Sequence, residues 1–165
     1  ELGIGSILFY LAVYAVMNIG AFLVAITVNK REQDEKGYSF EDYRGLGFRK
    51  PALALAMMVF MLALAGIPPT AGFFGKYYIF SAAVKSGFVG LAVIGVLNSA
   101  VSVYYYLRVI VTMYMKDATE ETPADIFDSR AVGLVVMICA ILVLFIGLRP
   151  DLLLGVATDS AHSLM

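Results

Sequence analysis

The sequence predicts an all-α fold, a polytopic bundle of transmembrane helices with four spans, the second of them broken at 66–72. Hydrophobic residues make up 61% of the chain and charged residues only 15%, whereas about a quarter of the residues of a soluble domain are charged. Four apolar runs each reach the ~20 residues that cross ~30 Å of hydrocarbon. These runs are 3–28, 51–84, 88–115 and 131–149.

The placement of charge predicts the topology. The 12 basic and 13 acidic residues nearly cancel, so there is no basic field to suggest nucleic acid as a partner. Most of the charge lies in 29–50 and 116–130, with Lys85 and Arg149 the basic residues between and after the other spans. The positive-inside rule therefore puts the two long loops in the cytoplasm, and residues 1–165 are interpreted as a single membrane segment.

Three smaller features belong to this segment. The chain opens with Glu1, and no basic region precedes its first apolar run, so we expect a piece of a longer protein. The single cysteine, Cys139, excludes an internal disulfide and is expected to be packed and inert. In the first loop, 39–42 has capping-box spacing with Gly45 behind it, which fits either a short surface helix or an irregular loop.

The second apolar run contains a break, Gly66-Ile67-Pro68-Pro69-Thr70-Ala71-Gly72. At ~1.5 Å per residue its 34 residues would extend ~50 Å as one helix, more than a bilayer requires. Pro68 and Pro69 also remove the amide donors that would bond the carbonyls of Leu64 and Ala65. Such carbonyls are tolerated at membrane depth only where protein or a water-lined cavity satisfies them, so the break, which starts at Gly66, is expected inside the bundle.

Thr70 is expected to cap a second half-helix starting near Ala71. The amides and positive dipole end of that half-helix would then lie at membrane depth. Discontinuous helices of this kind mark ion or substrate sites in transporters. The alternative is a proline kink that serves packing only.

Lys76 is the ionisable side chain in the heart of the spans, eleven residues or ~16 Å from the turn at Gly87. A lysine at this depth costs a few kcal/mol and is a functional hypothesis by default; the alternative is that its side chain reaches the interface. Burial and the N-terminal end of the second half-helix both act against a permanent ammonium. We therefore interpret Lys76 as a carrier that gains and loses protons.

Polar residues recur every four positions on the first and third spans and form one stripe on each. These stripes either hold a water chain leading to Lys76 or make hydrogen bonds between helices. Arg108, further along the third span, either extends to the interface or pairs with an acid elsewhere in the protein. No nucleophile–base pair or metal-ligand cluster supports covalent or metal catalysis. The stripes are Tyr10, Tyr14 and Asn18, and Asn98, Ser102 and Tyr106.

Four blocks resemble a known family. The runs 43–47 and 64–78, preceded by 17–22 and followed by 102–108, closely resemble the subunit N family of NADH-quinone oxidoreductase, the antiporter-like membrane subunits of respiratory complex I. The related subunits L and M, cation/proton antiporters and membrane hydrogenases share a similar break. The ending Gly-Lys-Tyr-Tyr at 75–78 favours N.

The resemblance implies that the spans are the last four of fourteen, the C-terminal part of the antiporter-like domain. It assigns Lys76 to proton transfer during redox-driven pumping. It implies no cofactor in this chain, with NADH, flavin, iron–sulfur clusters and quinone in other subunits. It also implies other membrane-arm subunits of complex I and the lipid bilayer as partners, no nucleic acid, and the inner membrane of a bacterium. The alternatives are a subunit of a cation/proton antiporter or membrane-bound hydrogenase, or a purely structural membrane-arm anchor.

Overall fold

A computed structural model describes residues 2–28, 39–119 and 129–163. Every regular element within these ranges is a helix, which confirms the predicted all-α class. The helices are α1 (Leu2–Val28), α2 (Leu46–Arg49), α3 (Pro51–Ala65), α4 (Ala71–Lys85), α5 (Val89–Met115), α6 (Arg130–Leu148) and α7 (Pro150–Ser163), with a 3-10 helix over Phe40–Tyr43 between α1 and α2.

Three of these helices, α1, α5 and α6, are long and apolar enough to cross a membrane. The predicted broken span is occupied by α3 and α4, each of 15 residues, or about 22 Å at 1.5 Å per residue. Neither crosses ~30 Å of hydrocarbon alone. Because α3 ends at Ala65 and α4 begins at Ala71, the predicted break is confirmed.

Helix α1 lies at the centre of the bundle and packs against α3, α4, α6 and α7. The apolar side chains on the faces that meet these helices, such as Phe9, Val13 and Met17, are fully buried, whereas Leu11 and Phe22 stay exposed. The ring of Phe60 on α3 sits directly over Gly20, where even a Cβ would collide with it. Fully buried side chains of this core include Phe9, Val13, Met17, Val24, Phe60, Val136 and Val143.

Helix α5 is the most exposed of the long helices. It packs on α3 and α4, and its outward face is apolar and more than half exposed. In a membrane such a face meets acyl chains or neighbouring helices rather than water. That face carries Leu91, Ile94, Leu97, Val101 and Tyr104.

The first charged loop contains a short helix, one of the two structures that its sequence allowed. The Ser39 side chain accepts a hydrogen bond from the Glu41 amide, while the Asp42 carboxylate accepts from the Ser39 amide, so both halves of the capping box form. Gly45 follows with a φ of 63°, a conformation that glycine adopts without strain. Residues 29–38 and 120–128 of the two predicted loops lie outside the described part of the chain.

The same loop is attached to the end of α5. The Arg44 guanidinium bonds Glu41 at 2.7 Å and donates to the Asp117 carbonyl at 2.9 Å. The hydrogen bond from Arg44 holds the pKa of the Glu41 carboxyl below its usual value. The Arg108 guanidinium lies over the Phe40 ring of this loop, 4.7 Å from its centre.

The segment after Arg149, which follows the last predicted span, forms helix α7. Pro150 begins the helix, a position that suits its fixed φ and missing amide. Helix α7 packs closely against α1: a Cβ at Gly5 of α1 would lie only 2.8 Å from the Thr158 methyl group of α7. The four-residue spacing of the buried Ala157 and Ala161 could have indicated this helix.

Candidate functional site

Helix α3 ends in a Schellman motif at the break. Gly66 adopts a φ of 82°, and its amide donates to the Ala63 carbonyl at 3.0 Å. The Ile67 amide donates to the Leu62 carbonyl, also at 3.0 Å. This pairing satisfies two of the four carbonyls that the end of a helix leaves free.

The other two carbonyls accept hydrogen bonds from a lysine. Lys76 Nζ donates to the Leu64 oxygen at 2.8 Å and to the Ala65 oxygen at 3.4 Å. In a continuous helix these two carbonyls would accept from the amides of residues 68 and 69, but Pro68 and Pro69 have no amide hydrogen. The side chain of α4 therefore completes the hydrogen bonding of α3 across the break.

This contact corrects one of the two electrostatic effects expected at Lys76, that of the α4 N-terminus. The sequence placed the amine near the positive N-terminal end of α4, but Nζ lies on the carbonyls at the C-terminal end of α3. That end of a helix carries partial negative charge and stabilises a cation. The break thus provides a binding site for the ammonium form.

A third partner of Lys76 is Ser99 on α5, which the sequence analysis missed. Nζ donates to Ser99 Oγ at 2.7 Å, so the three N–H groups of an ammonium all have acceptors. The stripe chosen from the sequence ran through Asn98, Ser102 and Tyr106. Ser99 precedes Ser102 by three residues and Tyr106 by seven, a spacing that places all three on one helix face. This spacing could have indicated Ser99 from the sequence.

A polar cavity opens beside Lys76 between α1, α4 and α5. Its volume is about 380 Å³, and since a water molecule in the liquid occupies ~30 Å³, it has room for several. The structure brings most of the two predicted stripes to this one cavity. Its polar lining consists of Lys76, Ser99, Tyr10, Tyr14, Asn98, Ser102 and Tyr106.

Two of the predicted supporting residues lie elsewhere. The Asn18 side chain donates to the Tyr14 carbonyl of its own helix at 2.8 Å and is not part of the cavity lining. Arg108 lies over Phe40, beyond the cavity. The polar lining of the cavity therefore includes neither Asn18 nor Arg108.

On its other side Lys76 borders an apolar groove of about 870 Å³ between α4 and α5. Phe73, Tyr77 and Leu97 line it, and Lys85 stands at the end of α4. Lys76 is half-buried at the boundary between the polar cavity and this groove. Protein atoms thus hold the Lys76 amine, and the space beside it is polar towards the cavity and apolar towards the groove.

Thr70 takes the predicted N-cap position of α4, but its side chain makes no capping hydrogen bond. Its hydroxyl donates to the Ile67 carbonyl at 2.7 Å, which tightens the connecting turn, and its own carbonyl accepts from the Phe73 amide at 3.2 Å. The prediction of a capping hydrogen bond is wrong because the hydroxyl found an acceptor within the break. Helix α6 closes over this turn at Gly147, where a Cβ would collide with the Pro69 carbonyl oxygen.

The sequence matches a known family model over residues 1–102, that of the transmembrane region of NADH:quinone oxidoreductases and Mrp antiporters. Among individual relatives, NADH-quinone oxidoreductase subunit N of Trichlorobacter lovleyi is 53% identical over 159 residues, covering 96% of this chain and 32% of the relative. The subunit N of Rhodospirillum rubrum is 41% identical over 162 residues, covering 98% of this chain and 32% of the relative.

Solved structures show the same fold. A chain of respiratory complex I from Thermus thermophilus with bound aureothin superimposes with a TM-score of 0.81 at 35% identity, over 92% of this chain and 34% of that one. The Mrp complex from Dietzia sp. DQ12-45-1b matches with a TM-score of 0.79 at 22% identity, over 94% of this chain and 36% of that one, and shows the fold alone. The chain spans about a third of the length of the curated relatives it matches.

Proposed function

Since the chain belongs to the NADH:quinone oxidoreductase/Mrp antiporter transmembrane family, we propose that it is part of a proton-translocating, antiporter-like subunit of NADH-quinone oxidoreductase. In this proposal Lys76 takes up and releases protons during redox-driven pumping. The observation that carries it is the position of the Lys76 amine, bonded to the open end of a broken helix and facing a polar cavity.

The surroundings of Lys76 favour proton exchange over the two alternative roles. A side chain that reached the interface would place its amine among headgroups, whereas Nζ bonds Leu64 and Ser99 within the bundle. A purely structural anchor needs no polar cavity, whereas here the tyrosines and the Asn98 amide form one beside Lys76. Water in such a cavity can carry a proton to and from the amine.

The assignment to complex I rests on the relatives. The matched relatives are named NADH-quinone oxidoreductase subunit N, and the ending Gly-Lys-Tyr-Tyr at 75–78 resembles that subunit. We therefore place NADH oxidation, flavin, iron–sulfur clusters and quinone in other subunits. The partners are the other membrane-arm subunits and the lipid bilayer, and the location is the inner membrane of a bacterium.

Purification of the tagged full-length subunit tests this assignment. In mild detergent it is expected to bring hydrophilic NADH-oxidising subunits with it, and vesicles containing the complex should take up protons when NADH and a quinone are supplied. The competing function is a cation/proton antiporter, which the match to the Mrp fold keeps in consideration. Purification without any NADH-oxidising partner, together with proton exchange driven by a sodium gradient alone, would support the antiporter instead.

The orientation proposed from loop charge is tested by labelling cysteines at the two ends of α5. Asp117 and Ser86 are both exposed, and Lys50, Arg49 and Lys116 put Asp117 on the more basic side. In intact cells a membrane-impermeant maleimide is expected to label Ser86→Cys and to leave Asp117→Cys unlabelled, with the reverse result in inverted vesicles. The parent chain measures the background from the buried Cys139, and the opposite pattern would refute the orientation.

A further inference from the structure

We propose that the Ser99 hydroxyl is the group through which Lys76 exchanges its proton with the polar cavity. The inference rests on the proposed function, because it assumes that Lys76 is a proton carrier. It starts from the three hydrogen bonds of Nζ, which reach the Leu64 carbonyl, the Ala65 carbonyl and Ser99 Oγ.

The three acceptors differ in what they can do with a proton. The Leu64 and Ala65 oxygens are backbone carbonyl oxygens, which only accept hydrogen bonds. A serine hydroxyl carries one donor hydrogen and two acceptor lone pairs and can rotate between them. Of the groups bonded to Nζ, Ser99 is therefore the one that can pass a proton on.

The position of Ser99 matches this role. Ser99 is half-buried on α5 and lines the same cavity as Lys76, at 2.7 Å from its amine. The next hydroxyl along α5, on Ser102, donates to the Asn98 carbonyl of its own helix at 3.0 Å. Ser99 thus connects the amine to the cavity, while Ser102 is held by the backbone.

The proposed step conserves atoms and charge. The Nζ–H bond of the ammonium breaks as a new bond forms between that hydrogen and Ser99 Oγ. The hydroxyl's original hydrogen passes to a water molecule in the cavity, which leaves a neutral Lys76, an unchanged Ser99 and a hydronium ion. In the neutral state the amine lone pair accepts a hydrogen bond from the Ser99 hydroxyl, and the reverse sequence reloads the amine.

Substitution of Ser99 in the complete complex tests this inference. Ser99→Ala removes the hydroxyl and is expected to lower the initial rate of NADH-driven proton pumping about tenfold, the size of effect associated with one hydrogen bond to a charged group. Ser99→Thr keeps a hydroxyl on Cβ and should retain more than half of the wild-type pumping rate. Ser81→Ala is the matched control, since Ser81 lines the apolar groove on the other side of Lys76 and should pump normally.

The amount of assembled complex is measured for each variant, and pumping is expressed per complex. Wild-type pumping by Ser99→Ala would overturn the inference, as would a Ser99→Thr variant as slow as Ser99→Ala, because the shape of the side chain rather than its hydroxyl would then matter. A Lys76→Ala variant in the same series separates the two proposals. If Lys76→Ala fails to pump while Ser99→Ala pumps normally, Lys76 keeps its role and only the relay through Ser99 is wrong.

Discussion

Replacement of Lys76 by Ala in the complete complex is expected to lower NADH-driven proton pumping at least about tenfold, since a positioned acid–base group contributes roughly 10²–10⁴-fold to a proton-transfer step. The physical reason is that the variant lacks the Lys76 amine that takes up and releases the proton, whereas the tyrosines and the Asn98 amide that line the cavity remain. Pumping is measured as the initial rate of proton uptake into vesicles after NADH is added, divided by the amount of assembled complex.

The alanine variant also has a structural cost, which a second variant separates from the loss of proton exchange. Without the amine, the carbonyls of Leu64 and Ala65 lose a donor, and an unsatisfied buried acceptor costs ~1–3 kcal/mol. Lys76→Arg keeps N–H donors and positive charge, but its guanidinium does not release a proton at accessible pH. We expect Lys76→Arg to assemble better than Lys76→Ala and still to pump poorly.

Lys85→Ala is the matched control for the loss of a lysine from α4. Lys85 is exposed in the last turn of the helix, so its removal should leave pumping unchanged. Wild-type pumping per assembled complex by both Lys76→Ala and Lys76→Arg would contradict the proposed role of Lys76. A normal rate in Lys76→Arg alone would show that a fixed positive charge is sufficient.

The features that could be predicted from sequence are those that neighbouring residues determine. The break followed from Pro68 and Pro69, because a missing amide leaves particular carbonyls of the same helix without donors. The need of Leu64 and Ala65 for other partners was predicted for the same reason. These inferences require only the geometry of one helix.

The features that could not be predicted depend on how helices meet. Ser99 faces Lys76 because α4 and α5 pack side by side, and a spacing pattern within α5 indicates only which residues share a face. Asn18 shares a stripe with Tyr14 but bonds the backbone of its own helix instead, a competition common to short polar side chains. The Thr70 hydroxyl likewise bonds an acceptor inside the break.

The break and the lysine stabilise each other. A central lysine costs a few kcal/mol in a bilayer, and two free carbonyls at a helix end also carry a desolvation cost. The 2.8 Å bond from Lys76 Nζ to the Leu64 oxygen offsets part of both. Such a pair remains favourable only while α3, α4 and the helices around them hold the two ends of the break in place.

Gly147→Ala is therefore expected to destabilise the bundle by about 1–3 kcal/mol, the usual cost of overpacking. A Cβ at Gly147 would collide with the Pro69 carbonyl oxygen and lie 2.7 Å from the Thr70 carbonyl carbon and 2.8 Å from the Ala71 nitrogen. These are backbone atoms of the break, which cannot rotate away as a side chain can. The α6 helix must shift outward or the connecting turn must move.

The measurement is the thermal unfolding midpoint of the purified complex in detergent, together with the yield of assembled complex. Gly133→Ala makes the same change on α6, at a position where a Cβ would meet nothing within 4 Å, so its midpoint should stay the same or rise slightly because alanine favours helix more than glycine does. A lower midpoint for Gly147→Ala alone locates the strain at the contact with the break. Equal midpoints for the two variants would contradict the close packing of α6 on this turn, and with it the reason for a glycine at position 147.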